Sequence, residues 1–185
     1  MAEGPRYGAQ LKADFETRTG GTWPLNVGQV YTTLSRLERD GLVVPEGDGD
    51  DEGRIRYRLT EAGAKSAATW WVTPVIRDPA PRSEVAIKLA LAVTSPGVDV
   101  TTVVQVQRRS AVGHLQDLTR LKRTPSTQAA DLAWGLVLDH LIFTTESEVR
   151  WLDHVEARLA SSGARAMTKP ADVAGMTADQ MQEQR

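Results

Sequence analysis

The stretch Asn26-Val27-Gly28-Gln29-Val30-Tyr31-Thr32-Thr33-Leu34-Ser35-Arg36-Leu37-Glu38-Arg39-Asp40-Gly41 decides the fold. Asn26 is a natural helix N-cap, its side chain accepting from a free amide of the next turn. Val30, Leu34 and Leu37 then recur at helical spacing and form a stripe to be buried. Gly41 suits the left-handed residue that ends a helix. The outer stripe is Gln29, Thr32, Thr33 and Arg36, polar residues of modest size around Gly28.

Upstream, Arg6 to Arg18 reads as a first helix, with Tyr7, Leu11 and Phe15 four residues apart. Gly4-Pro5 opens it and Gly20-Gly21 closes it. Downstream lie two strands. One is Leu42-Val43-Val44. The other, Arg54-Ile55-Arg56-Tyr57-Arg58-Leu59, alternates charged and apolar residues as a half-buried strand does. Pro45 to Gly53 between them is an acidic hairpin tip. A further helix runs from Glu61 to about Trp71.

Helix, turn, helix, strand, charged hairpin, strand is the layout of a winged helix-turn-helix. In that mode the second helix enters the DNA major groove and the first crosses the backbone. Gln can pair with adenine edges, Arg with guanine, and Thr with a base or a methyl group. Arg54, Arg56 and Arg58 share one strand face and suit phosphate contact. An amphipathic helix with a polar outer face is also what any solvated surface helix shows, so the pattern by itself leaves both readings open.

The stretches Tyr7-Gly8-Ala9-Gln10-Leu11, Trp23 to Val43, and Arg56-Tyr57-Arg58-Leu59-Thr60-Glu61-Ala62-Gly63 closely resemble the PadR family of bacterial transcriptional regulators. The family pattern has a Tyr-Gly helix start, a Gly-Gln-Val-Tyr-x-Thr-Leu-x-Arg-Leu reading helix and a Tyr-x-Leu-Thr-x-x-Gly close to the wing. All three occur here in order. The resemblance implies a homodimer on a roughly two-fold symmetric operator, usually a repressor, often released by a small aromatic ligand. It puts Tyr7 near the phosphate backbone and Gln29, Tyr31, Thr32, Thr33 and Arg36 on the reading helix. With Asn26 at its start and Arg54, Arg56 and Arg58 on the wing, these form the expected DNA-binding set. Tyr31, between the buried and outer stripes, either packs or contacts DNA.

One departure stands out. The family carries an apolar helix just before the Tyr-Gly segment, and here Met1 lies a few residues before Tyr7. Either the true start lies upstream or the domain is truncated. The expectation is then that Leu11, Phe15 and Leu34 are left wet, at roughly 1.5–3 kcal/mol each.

Pro74, Pro79 and Pro81 mark a linker, 73–82, between a winged domain at 1–72 and a helical domain at 83–160. That region holds a short apolar segment from Ser83 to Val93, read as a helix though its pattern also suits a buried strand, a long helix capped by Asp99 and running to about Arg123, a turn at Thr124 to Thr127, and a last helix from about Gln128 to Leu159. Its layout resembles the dimerisation region of the longer PadR-like regulators. Leu138, Leu141, Thr145, Glu148, Leu152, Val155 and Leu159 follow heptad-like spacing. Leu138, Leu141, Leu152, Val155 and Leu159 are therefore the expected dimer seam, because one thin hairpin cannot satisfy both helices. Trp134 and Trp151 are candidate walls of an aromatic effector pocket, although core packing is the commoner use of such residues. Residues 161–185 read as a disordered tail.

The 185 residues, 41% hydrophobic and 25% charged, bound a folded chain of mostly α structure with a small β-wing. The net charge of -2 does not advertise a nucleic-acid partner. The first 72 residues hold nine Lys/Arg and eleven Asp/Glu, but five of those acids sit between Glu46 and Glu52, and local potential on one face is what counts. Without cysteine there is neither disulfide nor thiolate chemistry. No apolar segment suggests a signal peptide or membrane span, so a cytoplasmic protein is expected. His114, His140 and His154 lack metal-ligand spacing, and the Asp48 to Glu52 run lacks the pattern of a calcium loop. No cofactor and no enzymatic activity are expected. The alternative is a helical protein-interaction module that does not bind DNA.

Overall fold

The computed structural model describes residues 1, 4–47, 49, 53–76, 82–123 and 129–167. Its elements run β1 (Arg6–Tyr7), α1 (Gly8–Arg18), α2 (Val27–Arg39), β2 (Val43–Glu46), β3 (Arg56–Leu59), α3 (Glu61–Val72), α4 (Glu84–Ala92), α5 (Val100–Lys122) and α6 (Ala129–Met167). Most of the acidic hairpin tip, the end of the 73–82 linker, the 124–127 turn and the tail beyond Met167 lie outside the described residues.

The first helix begins at Gly8, two residues later than its apolar spacing suggests. Arg6 and Tyr7 are extended and pair antiparallel with β3, Arg6 opposite Tyr57 and Tyr7 opposite Arg56. Tyr7 then serves as the N-cap, its N–H donating to Gln10 Oε1 at 3.0 Å. On the other side β2 pairs with β3, Val43 opposite Leu59 and Glu46 opposite Arg56. The sheet order is β1-β3-β2. The β3 ladder takes up only Arg56 to Leu59, so Arg54 and Ile55 precede it.

The chain divides into two compact units, Met1–Pro81 with Leu118–Phe143, and Arg82–Asp117 with Thr144–Arg185. In the first, Leu34 of α2, Val43 of β2 and Tyr57 of β3 form the buried centre, with Met1, Leu11, Val30, Leu37 and Leu59 packed on it. Leu34, expected wet, is 2% exposed, because the sheet and not a further helix covers it. Phe15 is 37% exposed, as expected. It lines an open apolar groove of about 250 Å³ with Leu11, Leu25 and Leu37.

In the second unit Leu89 of α4, Val104 of α5 and Leu152 of α6 form the centre, joined by Val85, Val100, Val103, Trp151, Val155 and Leu159. Asp99 caps α5, accepting from the amides of Thr101 (3.0 Å) and Thr102 (3.3 Å). Gln105 donates to Glu156 at 2.5 Å and Arg108 pairs with Asp153 at 2.6 Å. The partners ascend on α5 as they descend on α6, so the helices are antiparallel. α6 continues helical to Met167, past the expected start of the tail at 161.

Candidate nucleic-acid interface

Three local devices set α2. Asn26 Oδ1 accepts from Gly28 N–H at 2.8 Å, and Gln29 Oε1 accepts from Asn26 N–H at 3.2 Å. This is a reciprocal capping box that satisfies amides the helix cannot. Glu16 Oε1 accepts from Leu25 N–H at 3.1 Å while both Glu16 oxygens take Lys12 Nζ, at 2.7 and 2.6 Å. The end of α1 thus holds the residue just ahead of the α2 cap. The Lys12 ammonium, then the Leu25 amide, keep the Glu16 carboxyl below the ordinary carboxylate range.

The α2 face away from Val30, Leu34 and Leu37 carries Gly28, Thr32, Ser35 and Arg39, all exposed, at 3–4 spacing. Arg36, Gln29 and Thr33 flank that stripe and are also exposed. Gln29 and Thr33 line the apolar groove beside Leu11 and Phe15, and Gln29 shares its carboxamide with the cap. Asn26 is likewise a capping residue first. Ser35 and Arg39 were not singled out from the sequence, although carrying the helical spacing on from Thr32 leads to both. Arg39 is paired with Asp40 at 2.9 Å.

Tyr31 points back towards α1. A Cβ placed on Gly8 would lie 3.0 Å from its ring, so the tyrosine fills the space that the glycine leaves. It is still 41% exposed. Burial, followed by the charges of Glu38 and Tyr31, raises the Tyr57 hydroxyl above its ordinary value, so it stays protonated.

Two of the three wing arginines, Arg54 and Arg56, converge on Tyr7. Arg56 and Arg58 are exposed on one face of β3 while Tyr57 is buried on the other. The Arg54 and Arg56 guanidinium carbons lie 5.2 and 5.1 Å from the centre of the Tyr7 ring. Arg56 Nε also donates to the Tyr7 hydroxyl at 2.9 Å. No pattern within either segment reports this meeting, since 49 residues separate the two partners.

The candidate seam and pocket residues fall in different surroundings. Leu152 is fully buried against Leu89 and Val104 of its own chain, with Val155, Leu159 and Trp151 packed on it. The short α4 supplies the third wall that a thin two-helix hairpin lacks. Leu138 is 3% exposed and Leu141 half-buried. Trp134 lies over the turn after α1, where a Cβ on Gly20 (φ +58) would strike its indole. The exposed apolar stripe on α6 is Leu132, Leu136 and Phe143, at 69%, 63% and 66% exposure, which the heptad reading passed over.

A helix-turn-helix held on a three-stranded wing, followed by long helices, defines a winged-helix fold of mostly α structure. Residues 1–69 match the sequence model of the transcriptional regulator PadR-like family, and residues 81–160 match that of the virulence activator alpha C-terminal region. The winged unit is thus similar over residues 1–69 to the PadR-like family, a family of transcriptional regulators.

Solved structures share the fold at low identity. Bacillus subtilis PadR in complex with operator DNA is 18% identical, with a TM-score of 0.61 over 84% of this chain and 91% of that one. The same protein in complex with p-coumaric acid is 19% identical, with a TM-score of 0.64 over 85% and 92%. The Vibrio cholerae virulence activator AphA is 19% identical, with a TM-score of 0.59 over 87% and 94%. No curated protein sequence matches the chain significantly. Among the described residues, no helix is long and apolar enough to cross a membrane.

Proposed function

We propose that this chain is a dimeric, sequence-specific double-stranded DNA-binding regulator that represses transcription. The observation that carries the reading is the pairing, within one winged unit, of an exposed small-residue face on α2 with the arginines gathered on Tyr7. Thr32, Ser35 and Arg36 present hydroxyls and a guanidinium on the exposed side of α2, as base-edge readout needs. Arg54, Arg56 and Arg58 supply phosphate contacts that set register. The match of residues 1–69 to the PadR-like family model and the operator complex of Bacillus subtilis PadR support it.

Self-association falls to α6. With Leu138 and Leu152 buried within their own chain, the stripe Leu132, Leu136 and Phe143 is the surface a second copy covers, alongside the half-buried Leu141, Val155 and Leu159. A small aromatic effector releases the DNA, a proposal supported by the p-coumaric acid complex of the Bacillus protein. Trp134 and Trp151 remain the residues whose fluorescence is to be watched.

The test is selection of duplexes from a random library, followed by anisotropy titration at moderate salt. The expected product is a two-fold symmetric consensus, with half-sites about one helical turn, ~34 Å, apart. Arg36→Ala should relax the preference at one position per half-site, at roughly 1–3 kcal/mol of discrimination. No enrichment over random duplex would overturn the reading and leave a helical interaction module. Sedimentation of the wild type and Leu136→Glu tests the dimer, and phenolic acids added to the preformed complex test release.

A further inference from the structure

Tyr7 can serve a DNA interface in two ways, by touching the backbone itself or by fixing groups that do. We infer the second: Tyr7 is a positioning residue, a platform that holds Arg54 and Arg56 in the geometry in which they meet the phosphates. The inference rests on the DNA-binding reading above and assigns a mechanism to one part of it.

Both guanidinium carbons lie near 5 Å from the Tyr7 ring centre, inside the ~6 Å range of cation–π attraction. The hydroxyl is also engaged, accepting the Arg56 Nε–H at 2.9 Å. A long side chain such as arginine samples many rotamers, and ordering it on binding costs conformational entropy. Two arginines already held by one aromatic side chain avoid much of that cost. The Tyr7 hydroxyl takes the Nε–H of Arg56, whereas phosphate is met by the Nη ends of the guanidinium fork.

The backbone explains why the platform is stiff. Tyr7 is a β1 residue directly opposite Arg56, so ring and arginine share a cross-strand pair. Its N–H is fixed by Gln10. The next residue is Gly8, on which the α2 residue Tyr31 packs. The Tyr7 backbone is therefore tied to the wing through β3 and to the start of α1 through Gln10, and Tyr31 of α2 packs on the neighbouring Gly8.

A double-mutant cycle on a selected duplex tests this, read by anisotropy over a range of salt concentrations. Tyr7→Leu should weaken binding about tenfold, the size of two cation–π contacts of ordinary strength. In an Arg54→Ala/Arg56→Ala background the same change should cost less than twofold, since the platform has nothing left to hold. Tyr7→Leu should also flatten the salt dependence towards that of the double arginine variant, because each lost phosphate contact removes about 0.9 from the slope. Tyr7→Phe keeps the ring and should restore most of the affinity.

Losses that add in the cycle, with a salt slope unchanged by Tyr7→Leu, would mean that Tyr7 contacts DNA directly and would overturn the inference. Should Tyr7→Leu disturb folding, the Tyr7→Phe and Arg56→Ala cycle reads the hydroxyl contact alone with the ring kept. A wild type that binds no duplex removes the DNA reading instead. In that case, exchange of the Arg56 Nε proton in wild type and Tyr7→Phe still reports on the platform: slow exchange lost in the variant supports it, and equal rates sink it.

Discussion

Gly63→Ala should destabilise the winged unit sharply, although glycine-to-alanine inside a helix ordinarily does the reverse. Gly63 is buried in the first turn of α3, where that helix meets the loop after α2. An ideal Cβ there would sit 2.9 Å from the Leu42 carbonyl carbon and closer still to its oxygen. That oxygen cannot swing aside freely, because it accepts the Thr60 N–H at 3.1 Å. Thr60 in turn donates its hydroxyl to Gly41 O at 2.8 Å and accepts from Gly63 N–H at 2.9 Å. Relief needs a shift of the α3 start, an overpacking cost of about 1–3 kcal/mol, and strains one hydrogen bond worth about 0.5–1.5 kcal/mol. The alanine gains back at most about 1 kcal/mol of helix preference. A net loss of about 2–3 kcal/mol, at about 2–4 °C per kcal/mol for a chain of this size, lowers Tm by about 4–12 °C. Gly113→Ala is the control. Gly113 lies within α5 with nothing inside 4 Å of its would-be Cβ, so that change should raise stability by about 0.4–1 kcal/mol. Thermal melts followed at 222 nm on both variants give the sign. A Gly63→Ala protein as stable as Gly113→Ala would refute the close approach of α3 to Leu42.

Other perturbations read other joints. Asn26→Ala removes the α2 cap and should cost about 1 kcal/mol in urea unfolding, while Asn26→Asp keeps the acceptor and most of the stability. Leu152→Ala empties a fully buried site between α4, α5 and α6 and should cost about 2–5 kcal/mol by the same assay. The Glu16 carboxyl is held low in the folded chain, first by Lys12 and then by the Leu25 amide. Its folded value lies below its unfolded one, so its contribution is whole above the ordinary carboxylate value and is lost as pH falls through the lowered one. Glu16→Gln should therefore lose less stability than wild type on acidification, and parallel acid limbs for the two proteins would count against the clamp.

Legibility in the sequence followed the range of the interaction. α2, its cap and its Gly41 stop stand in consecutive residues, and the alternation Arg56-Tyr57-Arg58-Leu59 announces a half-buried strand. β1 is two residues long, too short for any period, and exists only because Arg56 and Tyr57 lie opposite it. The apolar spacing of α6 was readable, whereas its partner was not. Leu152 meets a short helix more than sixty positions earlier, and periodicity cannot tell a partner in the same chain from one in a second copy. The division at Phe143 and the seat of Trp134 at Gly20 are likewise facts of long-range packing.

The candidate site changes character under the same light. Its residues divide into those that build the interface and those left over to use it. Asn26 and Gln29 make the capping box, a use already legible in the Asn-x-x-Gln spacing. Tyr31 fills the space above Gly8, and Tyr7 is taken up by two arginines. The motif shared with the family is thus in good part a scaffold, which is why it is recognisable: capping and packing admit few residue types. Residues that choose an operator must be free to vary, and Thr32, Ser35 and Arg36, all exposed, are the ones we propose for that part. Exchanging these three for their counterparts in a member of the family should redirect the selected duplex with little change in Tm. Exchanging Tyr7, Asn26 or Gly63 should lower binding or stability and leave the consensus as it was.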